Sequence, residues 1–250
     1  MTIHDLHLDL EAPKALPLQG AALFLDLDGT LAPIAARPQD VGPDPRRTGL
    51  VQRLSAALGG RLAVVSGRAL CDIDRILEGG VRPVSAIHGL VRRRADGQVE
   101  QARPHPRLAL AREEFERLAK EAPGRLLVED KGLSVALHYR LAPERAGEVR
   151  AAAQRLAEAT GLKRQDGAMV CELRTPGPSK GDSVRAFLGE VPFKGAAPVF
   201  VGDDVTDEDG FAAAASLGGY GVLVGPARRT QAEFRLAGVD EALAWLEDAR

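Results

Sequence analysis

Residues 21–25, Ala-Ala-Leu-Phe-Leu, form an unbroken apolar run that passes directly into Asp26, Leu27, Asp28, Gly29 and Thr30. A short apolar run closed by a turn composition reads as a buried strand, so two carboxylates are delivered at its carboxyl end. Residues 198–201 repeat the arrangement, running through Gly202 into Asp203, Asp204 and Asp207. Two distant strand tips rich in acid constrain the fold more than any other feature. A chain that buries both strands brings like charges close, and a cation between them relieves the repulsion. Carboxylate oxygens are hard donors, which favours Mg2+ over metals that prefer thiolate or imidazole.

Between the two tips, apolar spacing alternates between strand and helix. Leu50, Val51, Leu54, Ala57 and Leu58 mark a helix over residues 45–58 that Gly59 and Gly60 end. Residues 61–65 read as a buried strand leading into Ser66, Gly67 and Arg68. A helix through Ile73, Ile76 and Leu77 follows, and then a strand over residues 84–87 that ends at His88 and Gly89. Repeated strand–helix units of this kind build a parallel sheet, so the fold class expected is α/β. After residue 178 the pattern resumes, with a helix over 180–188, a strand over 198–201, a helix over 207–217, a strand over 221–224 and a last helix over 239–248. Trp245 in that last helix reads as structural.

Gly97 is the turn of a small hairpin, and Pro104 with Pro106 marks a hinge. The next stretch has its own order: helix 108–119, strands 126–129 and 133–139, helix 144–160, and a hairpin of 162–165 with 168–173. This αββαββ unit is self-contained, and Pro176, Gly177 and Pro178 form the return hinge. The expected division is core residues 1–103, an inserted α/β cap over 104–175, and core again over 176–250. Along 133–139, Leu133, Val135, Leu137 and Tyr139 share one face, and Ser134, Ala136 and His138 the other. The same alternation over 168–174 puts Glu172 on the open, polar sheet face.

Length and composition exclude several classes. The chain has 250 residues, 45% hydrophobic and 27% charged, with no apolar stretch near the ~20 residues of a membrane span. No partnership with a membrane is expected. A net charge of −2 and 4% aromatic residues leave neither a basic footprint nor stacking platforms for nucleic acid. The start of the chain, carrying Asp5, Asp9 and Glu11, lacks the pattern of a secretory signal, so the expectation is a cytoplasmic protein. Residues 1–20 read as an irregular lead-in packed loosely on the core, with His4 and His7 inert. Cys71 and Cys171 both read as small buried hydrophobes, and Arg92, Arg93 and Arg94 as a solvated hairpin edge.

In a parallel α/β sheet, ligands bind outside the carboxyl ends of the strands, where Asp26, Ser66, His88 and Asp203 all fall in this reading. The chemistry these groups support together is phosphoryl transfer. Asp26, nearest the strand end, is the candidate nucleophile. Asp28 is the candidate acid and base toward the leaving oxygen and the attacking water. Ser66, the Gly67 amide and Lys180 supply donors and positive charge to the phosphate. Asp26, the main-chain carbonyl of Asp28, and Asp203 hold the metal, with Asp207 orienting its waters.

The segments DLDGT, SGR, PSKGD and GDDVTDED, in that order, resemble the haloacid dehalogenase superfamily of aspartyl-phosphate phosphatases. HGL at 88–90, VEDKGLSVALHYR at 128–140, CELRTPGPSKG at 171–181 and GDDVTDEDGF at 202–211 are similar to the trehalose-6-phosphate phosphatases. That resemblance implies a Rossmann-like parallel-sheet core with an inserted cap, dependence on Mg2+, and hydrolysis of trehalose 6-phosphate to trehalose and phosphate. It implies sugar-binding roles for Glu129, Lys131 and Glu172, while the place of Arg68 and His88 after strand tips makes them candidate substrate contacts in their own right. Association with a trehalose-phosphate synthase is a further partner it suggests. The other readings are a related phosphatase for sucrose phosphate or mannosylglycerate phosphate, a non-catalytic sugar-phosphate-binding partner of a synthase, and a receiver-like module. The last two leave Asp28 or the cap without a task.

Overall fold

The computed structural model describes residues 10–250. The chain divides into two compact units. The larger takes the chain up to Glu100 and again from Pro178, and the smaller takes Gln101–Gly177.

In the larger unit the elements are β1 (Ala21–Leu25), α1 (Pro45–Ala57), β2 (Leu62–Val65), α2 (Leu70–Ile76), β3 (Val84–Ala86), β4 (Val91–Arg93) and β5 (Val99–Gln101). The smaller unit contributes α3 (Leu108–Glu121), β6 (Leu127–Asp130), β7 (Ser134–His138), α4 (Ala146–Thr160), β8 (Lys163–Gly167) and β9 (Val170–Arg174). The larger unit then resumes with α5 (Lys180–Leu188), β10 (Ala197–Gly202), α6 (Glu208–Ser216), β11 (Tyr220–Val224), β12 (Phe234–Leu236) and α7 (Val239–Glu247).

The large sheet has the order β12-β11-β10-β1-β2-β3-β4-β5, parallel from β12 through β3, with β4 antiparallel to β3. Continuous apolar strands such as β1 are what a sheet covered by helices on both faces requires, and every residue of β1 is buried. On one side Phe24, Phe187, Phe193, Phe200 and Phe211 form one cluster, with Phe24 and Phe193 stacked at 5.6 Å. In the small antiparallel sheet, of order β6-β7-β9-β8, the predicted alternation holds. Val135, Leu137, Tyr139, Cys171 and Leu173 pack with Phe115 of α3 and Val149 of α4.

Several expectations are corrected. Of the lead-in, residues 1–9, including His4 and His7, lie outside the described residues. Residues 10–20 are irregular but not loose. Leu16 is fully buried, Leu18 donates to the Arg250 carbonyl at 3.0 Å, and the Trp245 indole N–H donates to the Lys14 carbonyl at 2.7 Å. The end of the chain therefore pins this segment, and Trp245 is structural as expected. Strand β12 is an element that the sequence pattern did not mark.

Arg92, Arg93 and Arg94 are not a solvated edge. Arg92 pairs with Glu190 and Glu100, Arg93 is bidentate on Asp74 at 2.7 Å, and Arg94 pairs with Glu190 at 2.7 Å. Their side chains are half-buried, and charge in that setting needs partners. Cys71 is exposed, unlike Cys171. Ile73 and Ile76 set the buried face of α2, and position 71 lies about 200° from position 73 around the helix. Strand β3 ends at Ala86, one residue early, because Ile87 and His88 both adopt left-handed backbone, with φ of 49° and 54°.

Candidate active site

The site residues expected from the sequence fall into two groups, one in each unit. In the larger unit the strand tips meet. The Asp26 N–H, just past β1, donates to the Val201 carbonyl of β10 at 2.9 Å, so the two acid-bearing tips are adjacent. Gly29 then lies against the Asp203 carboxylate. It has φ of +78°, and a Cβ placed there would lie 1.9 Å from Oδ2 of Asp203. Only glycine permits that contact together with that backbone.

Carboxylate oxygens of Asp26, Asp203 and Asp207 lie within 4.8 Å of one another. Lys180 is the cation among them. Its position follows from the start of α5, where Ser179 accepts from the Asp182 N–H and Asp182 accepts from the Ser179 N–H, a capping box that fixes the first turn. From there Lys180 Nζ lies 3.1 Å from Oδ1 of Asp26 and donates to Oδ1 of Asp207 at 2.6 Å. Asp207 is fully buried, and its Oδ2 accepts the N–H groups of Asp203 and Asp204 at 3.0 Å each. Two amides and an ammonium thus hold this carboxylate, which in turn shapes the loop carrying Asp203.

The electrostatics are unbalanced. Burial pushes the Asp26 carboxyl well above the ordinary carboxylate range; Lys180 opposes the shift, and Asp207, Asp203 and Asp28 add to it. Asp203 is pushed up to about 8, again first by burial and then by Asp207. Lys180 is itself held protonated against burial by Asp207 and Asp26. Three acids, Asp26 and Asp207 buried and Asp203 half-buried, face one ammonium and lack positive charge. All the donors are hard oxygens, so the residues suit a divalent cation such as Mg2+.

Asp28 has a different setting from the one expected. It is not left among acids alone, because Arg68 is bidentate on it, Nε to Oδ2 at 2.6 Å and Nη2 to Oδ1 at 2.7 Å. Arg68 also donates to the Pro38 carbonyl at 2.9 Å. In this structure the guanidinium, expected to meet substrate, faces the candidate acid. Ser66 and His88 are laced together: the His88 N–H donates to the Ser66 carbonyl at 3.0 Å and the Ile87 N–H to the Arg68 carbonyl at 2.9 Å. Gly67 packs so close to the His88 ring that a Cβ would lie 2.3 Å from Nε2. The left-handed turn at Ile87 and His88 places the ring there.

The second group lies on the polar face of the small sheet. Register puts Glu129, Ala136, Glu172 and Gln165 side by side across the four strands. Lys131 Nζ donates to Oε2 of Glu172 at 3.1 Å and lies 3.9 Å from Oε2 of Glu129. Glu172 is on the expected face, but that face is not open at this point: Glu172 is only 4% exposed. His138, which sequence reasoning left without a task, lies 2.8 Å through Nε2 from Oε2 of Glu129. Burial raises the Glu129 carboxyl, but Lys131 and His138 outweigh it and leave it lowered. The signal for His138 was present in the alternation that placed it on the polar face.

Comparison with known proteins agrees with this geometry. The family model described as Trehalose-phosphatase matches residues 24–240. The chain belongs to the trehalose-phosphatase family. Among curated members, it is 41% identical over 231 residues to the trehalose-6-phosphate phosphatase of Escherichia coli K12, covering 90% of this chain and 85% of that one. It is 40% identical to a probable trehalose-phosphate phosphatase of Sinorhizobium fredii, covering 87% and 83%. Among solved structures, a trehalose-6-phosphate phosphatase related protein superposes with a TM-score of 0.76 at 28% identity, covering 91% of this chain and 96% of that one. The C-terminal domain of the Candida albicans trehalose-6-phosphate phosphatase shares the fold, with a TM-score of 0.81 at 21% identity, covering 93% and 97%. This chain is therefore a phosphoric monoester hydrolase. Among the described residues, no helix is long and apolar enough to cross a membrane.

Proposed function

We propose that the protein hydrolyses trehalose 6-phosphate to trehalose and inorganic phosphate through an aspartyl phosphate on Asp26, with Mg2+ held by Asp26, Asp203, the Asp28 carbonyl and, through water, Asp207. The observation that carries this reading is the cluster of Asp26, Asp203 and Asp207, in which the two buried members, Asp26 and Asp207, share one ammonium, Lys180. Bound there, Mg2+ would offset charge on the transferring phosphoryl oxygens. In the first step a carboxylate oxygen of Asp26 attacks phosphorus and the bond from phosphorus to the sugar oxygen breaks. Asp28 protonates the departing oxygen, then takes a proton from the water that attacks the aspartyl phosphate and releases phosphate. For Asp28 to do so, its bidentate pairing with Arg68 has to loosen, which leaves the guanidinium able to meet the phosphate or the sugar. Lys180, Ser66 and the Gly67 amide hold the phosphoryl oxygens.

Sugar selection is assigned to the inserted unit, over residues 104–175, where Glu129, Lys131 and Glu172 form a polar row suited to hydroxyl groups. His88 is assigned a substrate contact. Phosphate release from a panel of disaccharide and hexose phosphates tests the substrate. Trehalose 6-phosphate is expected to exceed sucrose phosphate and mannosylglycerate phosphate by orders of magnitude. Asp26→Asn is expected to remain folded and inactive. Undiminished turnover by that variant, or by wild-type protein stripped of divalent cations, would overturn the mechanism.

A further inference from the structure

The loop that follows β10 is gripped along both edges, and the side chain that grips its outer edge has no role assigned so far. On one edge, the N–H groups of Asp203 and Asp204 are held by Asp207. On the other, the carbonyls of Asp203 and Asp204 both accept from Nη2 of Arg228, at 3.3 and 2.9 Å. Arg228 comes from the segment joining β11 to β12, far from this loop in sequence. Its Nη1 is paired with Glu208, the first residue of α6, and donates to its neighbour's carbonyl at Arg229 at 3.1 Å. Glu208 is itself fastened to the same segment, accepting from the Thr230 hydroxyl at 2.9 Å and from the Gln231 N–H at 2.7 Å. One guanidinium therefore bridges the peptide units of the acidic loop and the start of the helix behind it.

We propose that Arg228 is a positioning residue that holds the Asp203–Asp204 peptide so that the Asp203 carboxylate is aimed at the cation site before a cation arrives. This rests on the reading that the acidic cluster binds a divalent cation. With both edges of the loop tied, neither peptide plane can turn without losing a hydrogen bond, and Asp203 keeps its contact with Gly29. Residues that orient metal ligands typically change metal affinity by about 10- to 100-fold when removed.

The sign of the effect separates positioning from simple charge. A guanidinium beside a cation site repels the cation, so deleting it for charge alone would tighten binding. Loss of positioning would weaken it. A surface ion pair of no further consequence would leave it unchanged.

The test is Mn2+ binding to the full-length protein without substrate, followed by the electron paramagnetic resonance signal of free Mn2+. Wild type is compared with Arg228→Ala, Arg228→Lys and Asp203→Asn, with metal-free melting curves of each. Arg228→Ala is expected to bind Mn2+ about 10- to 100-fold more weakly than wild type. Arg228→Lys, which keeps a donor for the two carbonyls, is expected to recover part of the loss. Affinity in Arg228→Ala equal to or tighter than wild type overturns the proposal while leaving the cation reading intact. No Mn2+ uptake by wild type overturns the cation reading, and this inference with it. Should Arg228→Ala fail to fold, Arg228→Lys and Thr230→Val take its place: weakened binding in a folded variant supports the proposal, and unchanged binding in both overturns it.

Discussion

Replacing Gly29 by alanine separates backbone cost from site geometry. At φ of +78° an alanine costs roughly 1–2 kcal/mol relative to glycine. For a chain of this size that corresponds to a melting point lowered by about 2–8 °C. The new Cβ would stand 1.9 Å from Oδ2 of Asp203, whereas ordinary contact begins at 3.4 Å. The carboxylate must therefore retreat by about 1.5 Å, and a displacement near 1 Å at a reacting centre costs on the order of 10²-fold in rate. That factor corresponds to about 2.7 kcal/mol of lost transition-state stabilisation. The assay is phosphate release from trehalose 6-phosphate across a Mg2+ titration, alongside thermal melting. The expected result is a modest loss of stability with a large loss of turnover, and a higher Mg2+ requirement. Turnover within about twofold of wild type at low Mg2+ would refute the argument that Asp203 needs that contact. A melting point lower by more than about 15 °C would show instead that the cost lies in the backbone.

Lys180→Ala leaves Asp26 and Asp207 buried without their shared ammonium, and should cost about 3–5 kcal/mol in metal-free denaturant unfolding; an unchanged midpoint would contradict the placement of Lys180. Asp26 and Asp203 both hold their protons more tightly folded than unfolded, so the metal-free folded state binds more protons, and its stability should fall as pH rises from near 3.8 to about 8. Melting curves across that range check the slope, and Mg2+ should flatten it; a metal-free stability that climbs toward pH 8 would be the wrong sign. Glu129→Ala should reduce turnover of trehalose 6-phosphate by at least about tenfold while sparing a small aryl phosphate, because the aryl ester has no sugar hydroxyls for that carboxylate to bind. Equal losses on both substrates would remove Glu129 from sugar recognition.

Much of the candidate site was legible because its residues sit at places that local patterns mark. Asp26 and Asp203 follow unbroken apolar strands, and Lys180 follows a Ser179 whose capping of α5 is readable from Asp182 three residues on. Glu172 was placed on the correct sheet face by counting alternate residues from Cys171 and Leu173, although its burial could not be counted that way. The pairing of Arg68 with Asp28 had no such mark. The two lie 40 positions apart, on turns after different strands, and Arg68 is equally at home in sequence as a phosphate contact.

The amino-acid sequence by itself therefore determined the order of strands and helices apart from β12, and the acids delivered at the strand tips. Those properties depend on hydrophobic period and turn chemistry within a few neighbouring residues. Only the tertiary structure decided that Arg228 grips the carbonyls of Asp203 and Asp204, that Arg92, Arg93 and Arg94 are each paired with an acid, that Cys71 is exposed, and that His138 meets Glu129. Each of these depends on the register and direction with which separately formed elements come together, a relation that no local spacing carries.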